Sequence, residues 1–176
     1  FTITISQASQ TITFNALGNR TKTAGTDTFT VSATSSSSLA VAFTSATTSI
    51  CTVSGTTVTL VTTGTCTINA DQSGDSNYSA ATQVARSFTV LGTLAITTPN
   101  SGLSGTYGAS YSLSISTSGG AGSNSFALAS GSLPGGVTLN SSTGTISGTP
   151  TATGSFAITV RVTDANSTTA TTSSFT

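Results

Sequence analysis

The 176-residue sequence contains no histidine, no tryptophan and no methionine. Glutamate is absent too, and the four acidic residues are Asp27, Asp71, Asp75 and Asp164. Without histidine there is no Ser-His or Cys-His nucleophile pair to activate. Two cysteines without a histidine cannot assemble the usual four ligands of a zinc site. Charged residues make up 5% of the chain and the net charge is zero, whereas about 25% is usual in a soluble domain. Neutralising phosphates takes clustered Lys and Arg. Arg20 and Lys22 are the only close basic pair and read as part of a turn in GNRTKTAG, so no nucleic-acid partner is expected. No run of about 18 apolar residues is present, so no membrane insertion is expected. The expectation is a protein with no enzymatic activity, no cofactor and no metal.

What the chain does have is threonine and serine, roughly 40% of all residues. Threonine is β-branched and suits a pleated, half-exposed surface. The apolar residues alternate with it at period two: Ile3 and Ile5, Ile12 and Phe14, Phe29, Val31 and Ala33, Val41 and Phe43, Val58 and Leu60, then Ile158, Val160 and Val162. Turn residues separate these pieces at roughly 8–12-residue spacing, the mark of a sandwich or barrel. No window has helical periodicity. The three prolines are too few for a mucin-like disordered stalk. The predicted class is all-β, with a boundary near Leu91-Gly92-Thr93.

The segment GSLPGGVTLNSSTGTISGTPTATGSF, Gly131 to Phe156, carries Leu133, Val137, Leu139 and Ile146 as inward candidates between turn residues. It resembles the core signature of the immunoglobulin-like (cadherin-like) modules found in tandem on bacterial surface and secreted proteins. The earlier span, through TSICTVSGTTVTLVTTGTCTINA and ADQSGDSNYSAAT to SFTV, resembles a second, cysteine-containing kind of bacterial immunoglobulin-like repeat. The resemblance implies two tandem immunoglobulin-like β-sandwiches, residues 7–91 and 92–176, acting as spacers and contact surfaces at an extracellular, bacterial cell-surface or secreted location.

The first segment, residues 1–6, reads as something else. FTITIS continues the pattern on which the second module stops, SSFT. Phe1, Thr2, Ile3, Thr4 and Ile5, with Phe175 and Thr176, are therefore expected to form a strand shared between neighbouring modules. The partners would be copies of the chain or adjacent modules, arranged head to tail. Because Phe175-Thr176 already fill the places of Phe1-Thr2, a covalent array is preferred over strand donation between subunits. The absence of an initiator Met and of a signal-peptide pattern fits a processed or excised part of a longer protein.

Cys51 shares strand phase with Val53, and Cys66 with Ile68, so both point inward. A disulfide between them would close a loop of about 15 residues and suits an oxidising setting; the alternative is two buried free thiols. Asp71, Asp75 and Asp164 lie in turn-like sequence and read as turn braces, with calcium binding or a general acid/base pair at Asp71 and Asp75 as the alternatives. The sole lysine, Lys22, lies in the apparent turn, a poor place for a Lys-Asp or Lys-Asn crosslink that needs burial. Tyr107 and Tyr111 are near enough in sequence to form a possible ligand surface for sugars, or else cover the edge of the core with their hydroxyls in water. The main expectation is a structural repeat of an extracellular stalk, adhesin or filament. The alternative is a glycan- or polysaccharide-binding accessory module of a secreted protein.

Overall fold

A computed structural model describes residues 1–98, 103–172 and 174. Among them there are only strands, turns and irregular segments, and no helix. The chain divides into two compact units, Phe1–Leu91 and Gly92–Thr176.

In the first unit the strands are β1 (Ile12–Phe14), β2 (Arg20–Lys22), β3 (Asp27–Thr30), β4 (Ala33–Ser35), β5 (Ala42–Ser45), β6 (Cys51–Ser54), β7 (Thr57–Leu60), β8 (Gly64–Asp71) and β9 (Val84–Gly92). One sheet has the order β2-β9-β8-β5 and another β3-β7-β6, with β1 and β4 forming a two-stranded pair. The named pairings are antiparallel. Alternation puts one side of each strand inward: β8 buries Cys66, Ile68 and Ala70, while Thr65, Thr67 and Asn69 face outward. These residues meet Cys51, Val58, Leu60, Phe88 and Val90 in one core. Phe29 stands edge-on to Phe88, ring centroids 5.5 Å apart.

Two local readings of the sequence change here. The run Phe29, Val31, Ala33 is not one strand: β3 pairs with β7, and after the buried Val31 the chain passes to β4, which pairs with β1. Arg20 and Lys22 lie in β2, an edge strand, and not in a turn. A polar strand is tolerated there because its long side chains have nearby partners. The Arg20 guanidinium lies 4.5 Å from the centre of the Phe29 ring, and Lys22 Nζ is 3.5 Å from Asp27 Oδ2.

The segment SQASQ, which reads as a linker, is docked. Ala8 N donates to Asn77 O at 2.8 Å, and Ser79 N donates to Ala8 O at 2.9 Å. Gln10 is buried and its side-chain amide donates to Gln72 Oε1 and, at 2.7 Å, to Ser79 O, while Ser37 Oγ donates to Gln10 Oε1. A buried amide so satisfied ties the start of the unit to the loop before β9.

The second unit contains β10 (Ala95–Ile96), β11 (Tyr111–Ser114), β12 (Thr117–Ser118), β13 (Ser125–Ser130), β14 (Val137–Leu139), β15 (Thr145–Gly148), β16 (Thr159–Thr163) and β17 (Thr169–Thr171). Its sheets are β11-β15-β14 and β13-β16-β17, with β10 paired to β12. Val137 and Ile146 of the first meet Phe126, Val160 and Val162 of the second, and Leu94, Ile115 and Ile158 complete the core. Layers facing each other across interdigitated side chains are the sandwich arrangement.

Candidate functional site

In the first unit the cysteines are joined. Cys51 and Cys66 form a disulfide with Cα atoms 5.8 Å apart, and both are fully buried. Cys51 is on β6 and Cys66 on β8, so the bond links the two main sheets. It is a staple in the core, out of reach of solvent.

The aspartates are spent on local structure. Asp75 Oδ1 accepts from Asn77 N at 2.8 Å and Tyr78 N at 2.9 Å, which closes a turn. Asp71 Oδ1 accepts from the Gln83 side chain. Among the described residues no cluster of three metal-ligating side chains occurs. The Thr23 hydroxyl and amide, with Lys22 adding to them, hold the Asp27 carboxyl below its ordinary pKa.

Asp164 is the most enclosed acid. Its burial opposes ionisation, but the amides of Ala121, Thr168 and Asn166 donate to it at 2.8–2.9 Å and hold its pKa below the ordinary value. A carboxylate with a depressed folded pKa stabilises the fold above its unfolded pKa, and that stability is lost as pH falls through the folded value. Acid titration of the second unit should therefore show a loss of stability below about pH 4, near the ordinary carboxylate pKa. Asp164→Asn should lower stability at neutral pH and flatten that acid dependence; an unchanged acid limb in thermal melts would rule the linkage out.

One concave feature lies within the second unit. It is a cleft of about 440 Å³ whose lining includes Tyr107, Tyr111, Leu133, Pro134, Pro150 and Phe156. Each wall has a local cause. Tyr111 opens β11, and Gly105 lies so close that a Cβ there would stand 3.0 Å from the Tyr111 ring. Tyr107 occupies a turn closed by Ala109 N donating to Thr106 O, and Gly108 N donates to Pro150 O at 3.0 Å. On the other side Val137 N donates to Pro134 O, and Thr151 N donates to Gly135 O, so the β14–β15 hairpin carries both prolines to the cleft. Among the described residues no charged side chain lines it. It can hold apolar or aromatic groups, with hydroxyls of Ser104, Thr153 and Ser155 at hand. Tyr111 is half-buried, while Tyr107 is 64% exposed.

The other notable surface is the opening segment. Phe1, Ile3 and Ile5 are 131%, 86% and 89% exposed. Phe1–Ser6 belong to no strand, and the first backbone hydrogen bond is made by Ala8. Phe175 and Thr176, named with them from the sequence, lie outside the described residues.

The exposed face of β3, β7 and β6 aligns Thr28, Thr59 and Thr52 in one row, and Thr30, Thr57 and Ser54 in the next. Hydroxyl rows follow wherever threonine-rich strands pair in register.

Residues 93–176 match the family model described as "Putative Ig domain". No curated protein sequence matches the chain. Among solved structures, the chain is similar to a C-terminal 282-residue fragment of intimin in complex with the translocated intimin receptor intimin-binding domain. That similarity has 21% identity, 75% of this chain and 49% of that one covered, and a TM-score of 0.47. The chain therefore spans about half the length of that fragment. The D00-D0 domain of intimin is similar at 11% identity over 94% of this chain and 98% of that one, TM-score 0.49. The Yersinia pseudotuberculosis adhesin InvE is similar at 16% identity over 94% and 58%, TM-score 0.35.

Proposed function

We propose that the chain is a non-catalytic structural segment of a bacterial extracellular stalk, adhesin or filament, and that its copies, joined in one array or as separate chains, pair head to tail through the Phe1–Ile5 segment. The observation that carries this reading is the exposure of Phe1, Ile3 and Ile5. Three large apolar residues at i, i+2 and i+4 form one apolar face when the backbone is extended. An extended segment of this kind, with no main-chain partner among the described residues, is a template for pairing with another chain. The buried disulfide supports an oxidising, extracellular setting. The match of residues 93–176 to a family of immunoglobulin-like domains supports a structural module. A head-to-tail contact is heterologous, so it propagates and does not close into a dimer.

Deletion of Phe1–Ser6 tests this. Light scattering and electron microscopy should show concentration-dependent end-to-end assembly of the full chain that the deletion abolishes. Calorimetry should show a lower melting temperature for the second unit in the deleted protein and no change in the first. Assembly and second-unit stability that are both indifferent to the deletion would overturn the proposal.

A second reading has one observation in its favour: the exposed Tyr107 ring beside the half-buried Tyr111 in an uncharged cleft. Aromatic faces of that kind stack on sugars, so a glycan ligand is the alternative. Saturation-transfer NMR with oligosaccharides, read at the two tyrosines, tests it.

A further inference from the structure

We infer that the cleft of the second unit is the acceptor for the Phe1–Ile5 strand of another copy of this chain, an assignment that rests on the head-to-tail reading above. Two independent properties of the cleft point to a peptide strand as the occupant. The first is its lining, in which apolar and aromatic side chains stand beside the Ser104, Thr153 and Ser155 hydroxyls and which, among the described residues, is uncharged. The second is its main chain. Leu103–Gly105 on one flank and Ala152–Phe156 on the other belong to no strand, and their backbone groups make no hydrogen bond among the described residues. Exposed backbone donors and acceptors on two sides of the slot, bonded to water in the free chain, are available for an added strand to pair with.

β17 is an edge strand paired only with β16 among the described residues. One residue further, Thr172 N still donates to Val160 O at 2.9 Å, but Val160 N is satisfied by the Thr172 side-chain hydroxyl. At the Thr172–Val160 pair one main-chain bond of the regular exchange is thus replaced by a side-chain bond. The described ladder stops short of Ala152–Phe156.

The opening segment has the matching properties. Its main chain is unpaired among the described residues, its apolar residues alternate, and Thr2 and Thr4 would take the opposite, solvent side. Five extended residues span about 17 Å. Phe1, Ile3 and Ile5 present one apolar face to the cleft, and neither side carries a charged side chain that would have to be desolvated. A strand can pair with both flanks of backbone in a regular register while its alternate side chains fill the apolar part of the cleft. For these reasons a second copy is the occupant assigned here.

Site-directed crosslinking tests the assignment in the full chain. Molecules carrying Ile3→Cys are mixed with molecules carrying Tyr107→Cys and oxidised; both changed residues are exposed, so the native core and disulfide are untouched. A crosslinked dimer is expected, and none with Val61→Cys, an exposed site in the first unit. Ala152→Trp, an exposed substitution that fills the cleft, should reduce the crosslink at least tenfold. It should also abolish binding of a labelled Phe-Thr-Ile-Thr-Ile-Ser peptide, measured by fluorescence anisotropy. If Ala152→Trp leaves assembly intact while deletion of Phe1–Ser6 abolishes it, the head-to-tail reading stands and the cleft is not its acceptor. If the full chain never assembles and the peptide does not bind, both fall. Peptide binding without assembly upholds the cleft as acceptor and overturns assembly of separate chains. Oligosaccharide binding at Tyr107 with no peptide binding overturns the assignment in favour of a glycan.

Discussion

Replacing both Cys51 and Cys66 by alanine is expected to lower the melting temperature of the first unit by roughly 12–24 °C and to leave the second unit where it is. The staple spans 15 residues of sequence and joins β6 to β8, strands of different sheets. Closing a loop of that length removes conformational freedom from the unfolded chain worth about 3 kcal/mol. In a unit of this size each kcal/mol moves the midpoint by about 4–8 °C. Both sulfurs are fully buried, so their removal also leaves voids among Ile68, Val58 and Val90, which adds to the loss. The second unit has its own core and no share in the bond. Calorimetry of the wild-type and double-alanine chains should show one transition moving and one fixed. Two transitions that shift together would show the units to be coupled, and an unmoved first transition would show the staple to be idle.

Period-two alternation made the all-β class legible, and it placed the inward side of most strands. Val58 and Leu60, and Val160 and Val162, are core residues as the alternation requires. The inward phase of Cys51 and Cys66 was visible for the same reason. Lateral arrangement was not visible, because alternation says which face a residue takes and not which strand lies beside it. The passage from β3 to β4 is an instance: Phe29 to Ala33 alternates without a break, yet the partner changes from β7 to β1. Docking of SQASQ escaped for a related reason, since Gln10 meets Gln72 across 62 residues of sequence and neither glutamine is a residue type expected inside. Arg20 and Lys22 look like turn residues by composition, and only the Phe29 ring and Asp27 explain why they sit in a strand.

The cleft was legible in part. Tyr107 and Tyr111 stood out as the aromatic pair of the second module, and both line it. Their surroundings did not stand out. Leu133, Pro134, Pro150 and Phe156 reach the cleft through the β14–β15 hairpin, and in the sequence they read as core and punctuation. The same hairpin sets the position of Tyr111, whose Cα partner across β15 is Gly148. Gly148 is therefore where the signature segment and the cleft depend on each other.

Gly148→Ala is accordingly expected to unfold the second unit or to cost it roughly 3 kcal/mol or more. Gly148 is paired on both sides, with Tyr111 of β11 and Val137 of β14. Its φ is +145°, in the region that L side chains avoid, and a Cβ there would lie 2.0 Å from Gly136 O. The obstacle is backbone, so no rotamer change relieves it; β14 would have to move off β15. Gly136 cannot give way easily, because it has φ +78° and its own Cβ position lies 2.1 Å from Thr149 O. The Gly136 carbonyl also accepts from Thr149 N. Separating the strands would take Val137 and Ile146 out of the core together. Gly108→Ala is the matched control: φ is +72°, but nothing lies within 4 Å of its Cβ position, so only the left-handed backbone cost of about 1–2 kcal/mol applies. Thermal melts should place Gly108→Ala well above Gly148→Ala, with the transition of the first unit unchanged in both. Equal losses in the two variants would show that backbone conformation alone sets the cost and that the close approach of β14 to β15 contributes nothing.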